Sequence, residues 1–315
     1  MRIAITGASG FLGKHLVTAA RARGHEVLPL VREVDARAPE GAISVADLVA
    51  EPSAHRGLDA LVHAAAIRHR HGVGPEAYRT ANVDLVSTLL GAIEPTTRFV
   101  HVSSVGVYGF PRELPIDERT PMRPVTTYSE SKVEAESLVR RLADEAGIPW
   151  TIVRPTIVYG PGDQNGMLDK MVRMIRARKY LVVGDGKNSL HHTHVDDMVD
   201  GILLAAEHPR AVGDDFILAG PETITLGRLS ALVAEALGVS LFPAHVPLRA
   251  ARLVASAVDF AGARGWIRGE PPINHEKLDV MTRSIAFDPG KAMRTLGFVP
   301  KVRYAEGIRR TLRGA

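Results

Sequence analysis

The sequence predicts an α/β fold: a doubly wound parallel sheet followed by a smaller C-terminal lobe. Three observations carry this expectation. Short apolar runs rich in Val and Ile alternate with helical patterns through roughly the first half of the chain. Strands separated by helices imply right-handed crossovers and a sheet covered on both faces. The first run also leads directly into a glycine-rich turn, Gly7-Ala8-Ser9-Gly10-Phe11-Leu12-Gly13. Finally, 315 residues suffice for one large α/β unit with an appended lobe.

In chain order, strands are expected at 3–6, 26–31, 58–63, 98–103 and 150–154, with helices at 11–23, 75–93 and 130–147. Pro111, Pro115, Pro121 and Pro124 mark a long loop between Gly109 and Val125, which is expected to cover the C-terminal strand ends. Gly160-Pro161-Gly162 punctuates the chain and suggests a division into 1–160 and 161–315, with 191–219 packing back onto the first part. The apolar stretch 246–263 is interrupted by Arg249, Arg252 and Asp259. It is too broken to span a bilayer and reads as an amphipathic helix packed on the core.

Composition excludes several classes. Hydrophobic residues make up 45% and charged residues 23%, ordinary for a globular protein and unlike a disordered chain. There is no cysteine, hence no disulfide framework, thiol nucleophile or cysteine-ligated metal. The net charge of +4 comes from 39 basic and 35 acidic residues spread along the chain; no basic stripe points to nucleic acid. The N-terminus enters a strand without a signal-peptide pattern, so a cytoplasmic location is expected. His191, His192 and His194 lack a carboxylate partner at fixed spacing, and no metal site is expected.

The turn at Gly7, Gly10 and Gly13 has a physical reading. The first glycine permits a tight turn, the second lets backbone approach a pyrophosphate, and the third allows close helix–sheet packing. The helix that follows offers unpaired N–H groups and a partial positive charge to phosphates. A strand before and a helix after the motif point to a Rossmann-type nucleotide site.

Beyond this turn, the chain carries Leu61-Val62-His63-Ala64-Ala65-Ala66, Asn82-Val83, Val102-Ser103-Ser104-Val105-Gly106-Val107-Tyr108-Gly109 and Tyr128-Ser129-Glu130-Ser131-Lys132. Arg154-Pro155-Thr156-Ile157-Val158-Tyr159-Gly160, His194-Val195-Asp196-Asp197 and Leu296-Gly297-Phe298-Val299-Pro300 follow. In this order the strings resemble the extended short-chain dehydrogenase/reductases, the NAD-dependent epimerase/dehydratase family, over nearly the whole chain. The resemblance implies a Rossmann-type domain and a C-terminal substrate-binding lobe. It places Gly7, Ser9, Gly10, Phe11, Leu12, Gly13, Ala64, Ala65, Ala66 and Pro155 on the cofactor. Asp47 would meet the adenine amine beside Leu48, and members often form homodimers. Val133, Leu138, Val139 and Leu142 could serve that interface or the core.

Tyr128 and Lys132 are four apart, which on a helix puts them on one face. Tyrosine is a poor base at neutral pH; an adjacent ammonium and an oxidised nicotinamide would favour the phenolate. The resemblance then implies that Tyr128 exchanges a proton with a substrate oxygen while hydride passes between carbon and nicotinamide. Lys132 would hold the nicotinamide ribose and Ser104 would bond the reacting oxygen; Ser104 rather than Ser103 stands four before Tyr108. Asn82 would support the helix and proton path, or alternatively cap a helix.

Cofactor and substrate rest on departures from the family pattern. Val31 stands where NAD-binding members carry Asp, and Arg32 follows, resembling the dihydroflavonol-reductase branch. A guanidinium suits a 2′-phosphate, so NADP(H) is favoured, with NAD(H) the alternative. Leu190 replaces the arginine that grips sugar-nucleotide pyrophosphates, and Val105-Gly106 replaces the dehydratase Asp-Glu. These departures resemble ketoreductase and 3-beta-hydroxysteroid-dehydrogenase-like members acting on a ketone or secondary alcohol; a nucleotide-sugar 4-epimerase with tightly bound NAD is the alternative. Ser104, Val105, Arg68, His69, Thr156 and Val158 are the candidate substrate contacts.

Overall fold

The computed structural model describes residues 1–68, 72–164, 166–241, 244–264, 266 and 273–313. The chain begins β1 (Arg2–Thr6), α1 (Phe11–Ala22), β2 (Glu26–Val31), β3 (Ile43–Ser44), α2 (Val45–Ala50) and β4 (Ala60–His63). It continues with α3 (Pro75–Tyr78), a π-helical turn (Arg79–Asp84), α4 (Leu85–Ala92), β5 (Arg98–Val102), α5 (Thr127–Ala146) and β6 (Trp150–Pro155). Then come β7 (Ile157–Tyr159), α6 (Met167–Arg176), β8 (Leu181–Val183), β9 (Ser189–Leu190), β10 (His192–His194), α7 (Val195–Glu207) and β11 (Asp214–Leu218). The remainder is β12 (Ile224–Thr225), α8 (Leu226–Ala236), β13 (Ala244–Val246), α9 (Leu248–Ala263), α10 (His275–Thr282), α11 (Gly290–Leu296) and α12 (Tyr304–Arg313).

The central sheet has seven strands in the order β11-β6-β5-β4-β1-β2-β3, and every pairing in it is parallel. The order reverses between β1 and β4, which opens a crevice at their C-terminal ends. Both faces are dry. One buries Ile3, Ile5, Val62, Val100 and Val153 against Leu16 of α1, Met198 and Ile202 of α7 and Leu296 of α11. The other buries Ala4, Leu30, Leu61, Phe99 and Ile152 against Leu48 of α2, Leu89 of α4 and Val139 of α5. A separate cluster formed by α6, α8 and α12 with Tyr159 and Leu190 makes the C-terminal lobe.

The sheet is wider than the five runs legible in sequence. Ile43 and Ser44 pair with only two residues of β2, and Asp214–Leu218 opens on two carboxylates that obscure its pattern. The helix expected at 75–93 is split by the π-helical turn around Asn82. That expected at 130–147 starts three residues earlier, because Thr126 and Ser129 form a capping box; Gly147 ends it at φ +67°. Val139 is core, whereas Val133, Leu138 and Leu142 are half-buried.

The proline-rich loop sits at the sheet's free edge rather than only above the strand ends. Glu118 accepts a hydrogen bond from Ile217 N–H of edge strand β11 at 2.8 Å, and Ile116 pairs with Phe287. The expectation for 246–263 also needs correcting. In α9 it is Ala251 and Ala255 that face the core, while Leu253 is 74%, Val254 53% and Phe260 53% exposed.

Of the five buried imidazoles among the described residues, three are shifted furthest. His63 and His101 are cross-strand neighbours on β4 and β5 with ring centroids 5.5 Å apart, and His192 lies buried in β10. Burial, reinforced by the Lys132 charge, pushes His63 down to about 3 and His101 well below its usual range. Burial also brings His192 to about 3. All three are therefore neutral in the fold but protonate when unfolded below about pH 6.5. Their stabilisation is complete above that pH and is lost as pH falls toward the folded values, by about 1.4 kcal/mol per pH unit for each group. Denaturant titrations between pH 7 and 4 should show this loss, with a slope shallower by about one proton in His101→Phe.

Candidate active site

The crevice begins with the glycine turn. Gly7 has φ +68°, and a Cβ there would lie 2.9 Å from Ala65 Cα. A Cβ on Gly13 would lie 2.0 Å from Gly7 O, so α1 can seat on the turn only without a side chain at that position. Gly10 is the N-cap, makes no side-chain cap, and no acidic residue follows in the first turn. Unpaired N–H groups at the start of a twelve-residue helix are what a pyrophosphate requires. The turn therefore fits the dinucleotide. Ala64, Ala65 and Ala66 line the end of β4, where Ala65 N–H bonds Thr6 Oγ1 at 3.0 Å; small side chains leave room above them.

Arg32 is exposed immediately after buried Val31 at the end of β2. Among the described residues it has no ion-pair partner. Asp47 already forms a capping box with Ser44 at the start of α2, and the Leu48 side chain is wholly buried. The Leu48 side chain is thus core and could not reach a ligand; only its backbone could. Ser9 is exposed, Phe11 and Leu12 are half-buried, and Pro155 ends β6 fully covered.

Across the crevice stands α5. Tyr128, Lys132 and Glu136 follow at four-residue steps along one face. Lys132 is buried, and its ammonium donates to Val102 O at 2.9 Å. Burial lowers it to about 8, with the Glu136 carboxylate opposing the shift. Asn82 is wholly buried. Its amide donates to Ser131 Oγ at 3.0 Å and to Ile67 O at 3.2 Å, and its Oδ1 accepts from Ile67 N–H at 2.8 Å. It therefore ties the loop after β4 to α5; it is not a helix cap.

Tyr128 is half-buried beside the Tyr78 ring, centroids 6.2 Å apart. Desolvation pushes its phenol above the usual value, while the Ser104 hydroxyl and then the Arg68 guanidinium pull it back. The sequence did not point to Arg68 as a cation near this phenol. Ser104 caps a short 3-10 turn, accepting from Gly106 N–H at 3.1 Å. Ser103 Oγ is buried and has no protein partner, so Ser104 is the serine presented to the tyrosine.

Sequence reasoning did not foresee the cluster below these groups. Arg154 is 1% exposed and forks onto Glu136, at 2.9 and 2.7 Å. It also donates to Tyr108 OH at 2.7 Å and Asp215 at 2.5 Å. Burial opposes the guanidinium charge, yet the Glu136 bonds overcome it and raise the group. Four elements thereby meet at one side chain: α5, β6, β11 and the turn that presents Ser104. The signal in sequence was Arg154 itself, a charge inside an apolar strand.

The substrate side is mixed. Arg68, 66% exposed, reaches Asp163 Oδ1 at 3.4 Å; burial raises the Asp163 carboxyl and Arg68 opposes this. Asp163 and Val158 line a small recess with Ile157, Tyr159, Met167, Leu168, His192, Leu229 and Tyr304. Thr156 departs from expectation: it is buried with its hydroxyl 2.6 Å from that of Thr193, so it is turned away from a ligand. Val105 packs with Tyr108, Ile116 and Phe287. His69 lies outside the described residues. Leu190 is buried in the lobe core.

Of the three late histidines, His191 bonds Gly220 O through Nε2 and accepts from Phe287 N–H at Nδ1. His194 Nδ1 accepts from Asp196 N–H at the start of α7. His192 donates only its backbone N–H, to Tyr304 OH, and among the described residues its buried Nε2 meets no partner. Among the described residues no group of three or more His, Asp or Glu gathers as a metal shell, and no helix is long and apolar enough to cross a membrane.

Comparison with known proteins agrees with this architecture. A ketoreductase of Stigmatella aurantiaca, acting on a 4-hydroxy-2-methyl-3-oxo-4-farnesyl-3,4-dihydroquinoline-1-oxide, is 30% identical over 98% of this chain and 95% of its own. The 2-alkyl-3-oxoalkanoate reductase of Stenotrophomonas maltophilia is 26% identical over 98% of both chains. The crystal structure of UDP-glucuronic acid 4-epimerase from Bacillus cereus with NAD superposes with a TM-score of 0.77, at 20% identity over 100% of this chain and 98% of that one. The family model for the NAD dependent epimerase/dehydratase family matches residues 3–219. The chain thus belongs to the NAD dependent epimerase/dehydratase family, among the extended short-chain dehydrogenase/reductases.

Proposed function

We propose that this protein is an oxidoreductase that reduces a ketone to a secondary alcohol, or the reverse, with NADP(H). The supporting observation is the Tyr128 phenol beside the Ser104 hydroxyl, with buried Lys132 one turn further along the same helix. A phenol is protonated at neutral pH, and burial moves Tyr128 further in that direction; this is the state needed to donate a proton to a carbonyl oxygen as it gains electrons. Ser104 would bond the same oxygen and fix its direction. Lys132 and Asn82 would hold the ribose and the loop against α5.

A nicotinamide cofactor, when bound, supplies or accepts the hydride. Gly7, Gly10 and Gly13 would cradle its pyrophosphate, and the exposed Arg32 guanidinium would take a 2′-phosphate. One feature favours a less polar substrate over a sugar nucleotide: Leu190 is buried where the resemblance expects a pyrophosphate-gripping arginine. The relatives that reduce a ketone over nearly their full lengths support the same reading.

The direct experiment follows NADPH consumption with a panel of apolar ketones. Tyr128→Phe should lose at least about a hundredfold in turnover with NADPH affinity unchanged. Full activity in that variant would refute the role given to Tyr128. Tightly retained NAD released on denaturation, with no NADPH binding, would instead favour the epimerase.

The role of Arg68 has its own readout. Removing its charge in Arg68→Gln should move the Tyr128 phenol further up, because Arg68 is a cation that lowers it. Tyrosine-labelled NMR titration should show this rise, and alcohol oxidation should need a higher pH. A downward or absent shift would place the controlling cation elsewhere.

A further inference from the structure

We propose that α9 and Trp266 form a docking surface for an anionic lipid bilayer, independently of the reaction assigned above. The helix is packed with its small residues inward. Ala251 and Ala255 are 2% and 0% exposed, whereas Leu253 is 74%, Phe260 53% and Trp266 69% exposed. A helix serving only the core would show the opposite arrangement. Leu253, Ala257, Phe260 and Arg264 recur at steps of four, three and four, and so line one outward stripe. Phe260 and Trp266 meet edge to face at 6.2 Å. The Arg264 guanidinium lies over both rings, 4.1 Å from the centre of Phe260 and 5.5 Å from that of Trp266.

Charge identifies the occupant. Arg249, Arg252 and Arg264 are exposed around the apolar stripe, and among the described residues none has an ion-pair partner. The acidic residue of the helix, Asp259, is already engaged by His275 Nδ1 at 2.6 Å. Two copies meeting through this face about a two-fold axis would oppose the same three arginines, which is repulsive. An anionic headgroup layer satisfies them instead, while Leu253, Phe260 and Trp266 enter the boundary beneath it. Tryptophan and arginine together at an amphipathic helix suit that boundary. The contact is peripheral, since α9 has sixteen residues and three charges.

The chain reports on this contact by itself. It has two tryptophans, and Trp150 is buried in the sheet core, so a lipid-dependent change in emission belongs to Trp266. The intact protein should be mixed with vesicles of phosphatidylglycerol and phosphatidylcholine, and separately with phosphatidylcholine alone. A blue shift and co-sedimentation are expected with the anionic vesicles, weakening as salt rises. Arg249→Ser with Arg252→Ser should reduce partitioning roughly thirtyfold. Leu253→Glu with Phe260→Glu should reduce it by at least about tenfold. Both pairs lie on the surface, so thermal midpoints should stay unchanged. Absence of a shift and of sedimentation would overturn the proposal, as would binding that ignores these substitutions. A blue shift that grows with protein concentration without vesicles would assign the face to a second copy instead.

Discussion

The constraint on which the rest of the site depends is the buried guanidinium of Arg154. A charge without access to water is tolerated only when its donors are matched, and here they are met by Glu136, Tyr108 and Asp215. Each partner belongs to a different piece of the chain. Glu136 lies one helical turn beyond Lys132 and two beyond Tyr128. Tyr108 closes the turn that begins at Ser104. Asp215 sits on the edge strand β11. A shift of α5 relative to the sheet would strand a charge, at a cost of about 3–5 kcal/mol. The tyrosine helix and the serine turn are thereby held in one register.

The opposite wall is set by sterics rather than charge. The first helix can approach the first strand only because Gly13 has no side chain, and the turn can pass under Ala65 only because Gly7 has none. These two contacts bring the uncapped start of α1 to the point where strand order reverses. A backbone-lined wall for phosphates and a side-chain wall for proton transfer then face each other. Asn82, from within the π-helical turn, joins the loop above β4 to the second wall.

Features governed by local backbone chemistry are legible in the amino-acid sequence. The glycine turn and the helix face shared by Tyr128 and Lys132 follow from spacing, whereas the choice of Ser104 over Ser103 rests on the family resemblance. What is not legible there depends on contacts distant along the chain. Arg154 meets Asp215 sixty-one residues away, and nothing local marks that pair. The Tyr128 phenol is raised by burial and answered by Arg68 from another loop, so its direction cannot be read from the Tyr-Lys spacing. Thr156 sits next to the right strand end but turns its hydroxyl to Thr193. In α9 the apolar content is visible, whereas its outward orientation is set by which side the small Ala251 and Ala255 present to the lobe.

The central role of the buried cluster is tested most directly by replacing its ion pair without leaving either charge alone. The double variant Glu136→Met with Arg154→Met swaps a buried pair for apolar side chains of similar length, a change that can preserve folding. Its thermal midpoint, NADPH affinity and rate of ketone reduction should be measured together. The expected result is a folded protein that binds NADPH as before but turns over at least about tenfold more slowly, because Tyr128 and Ser104 are no longer held in register. A folded variant with unchanged turnover would contradict the claim that this buried cluster positions the reacting groups.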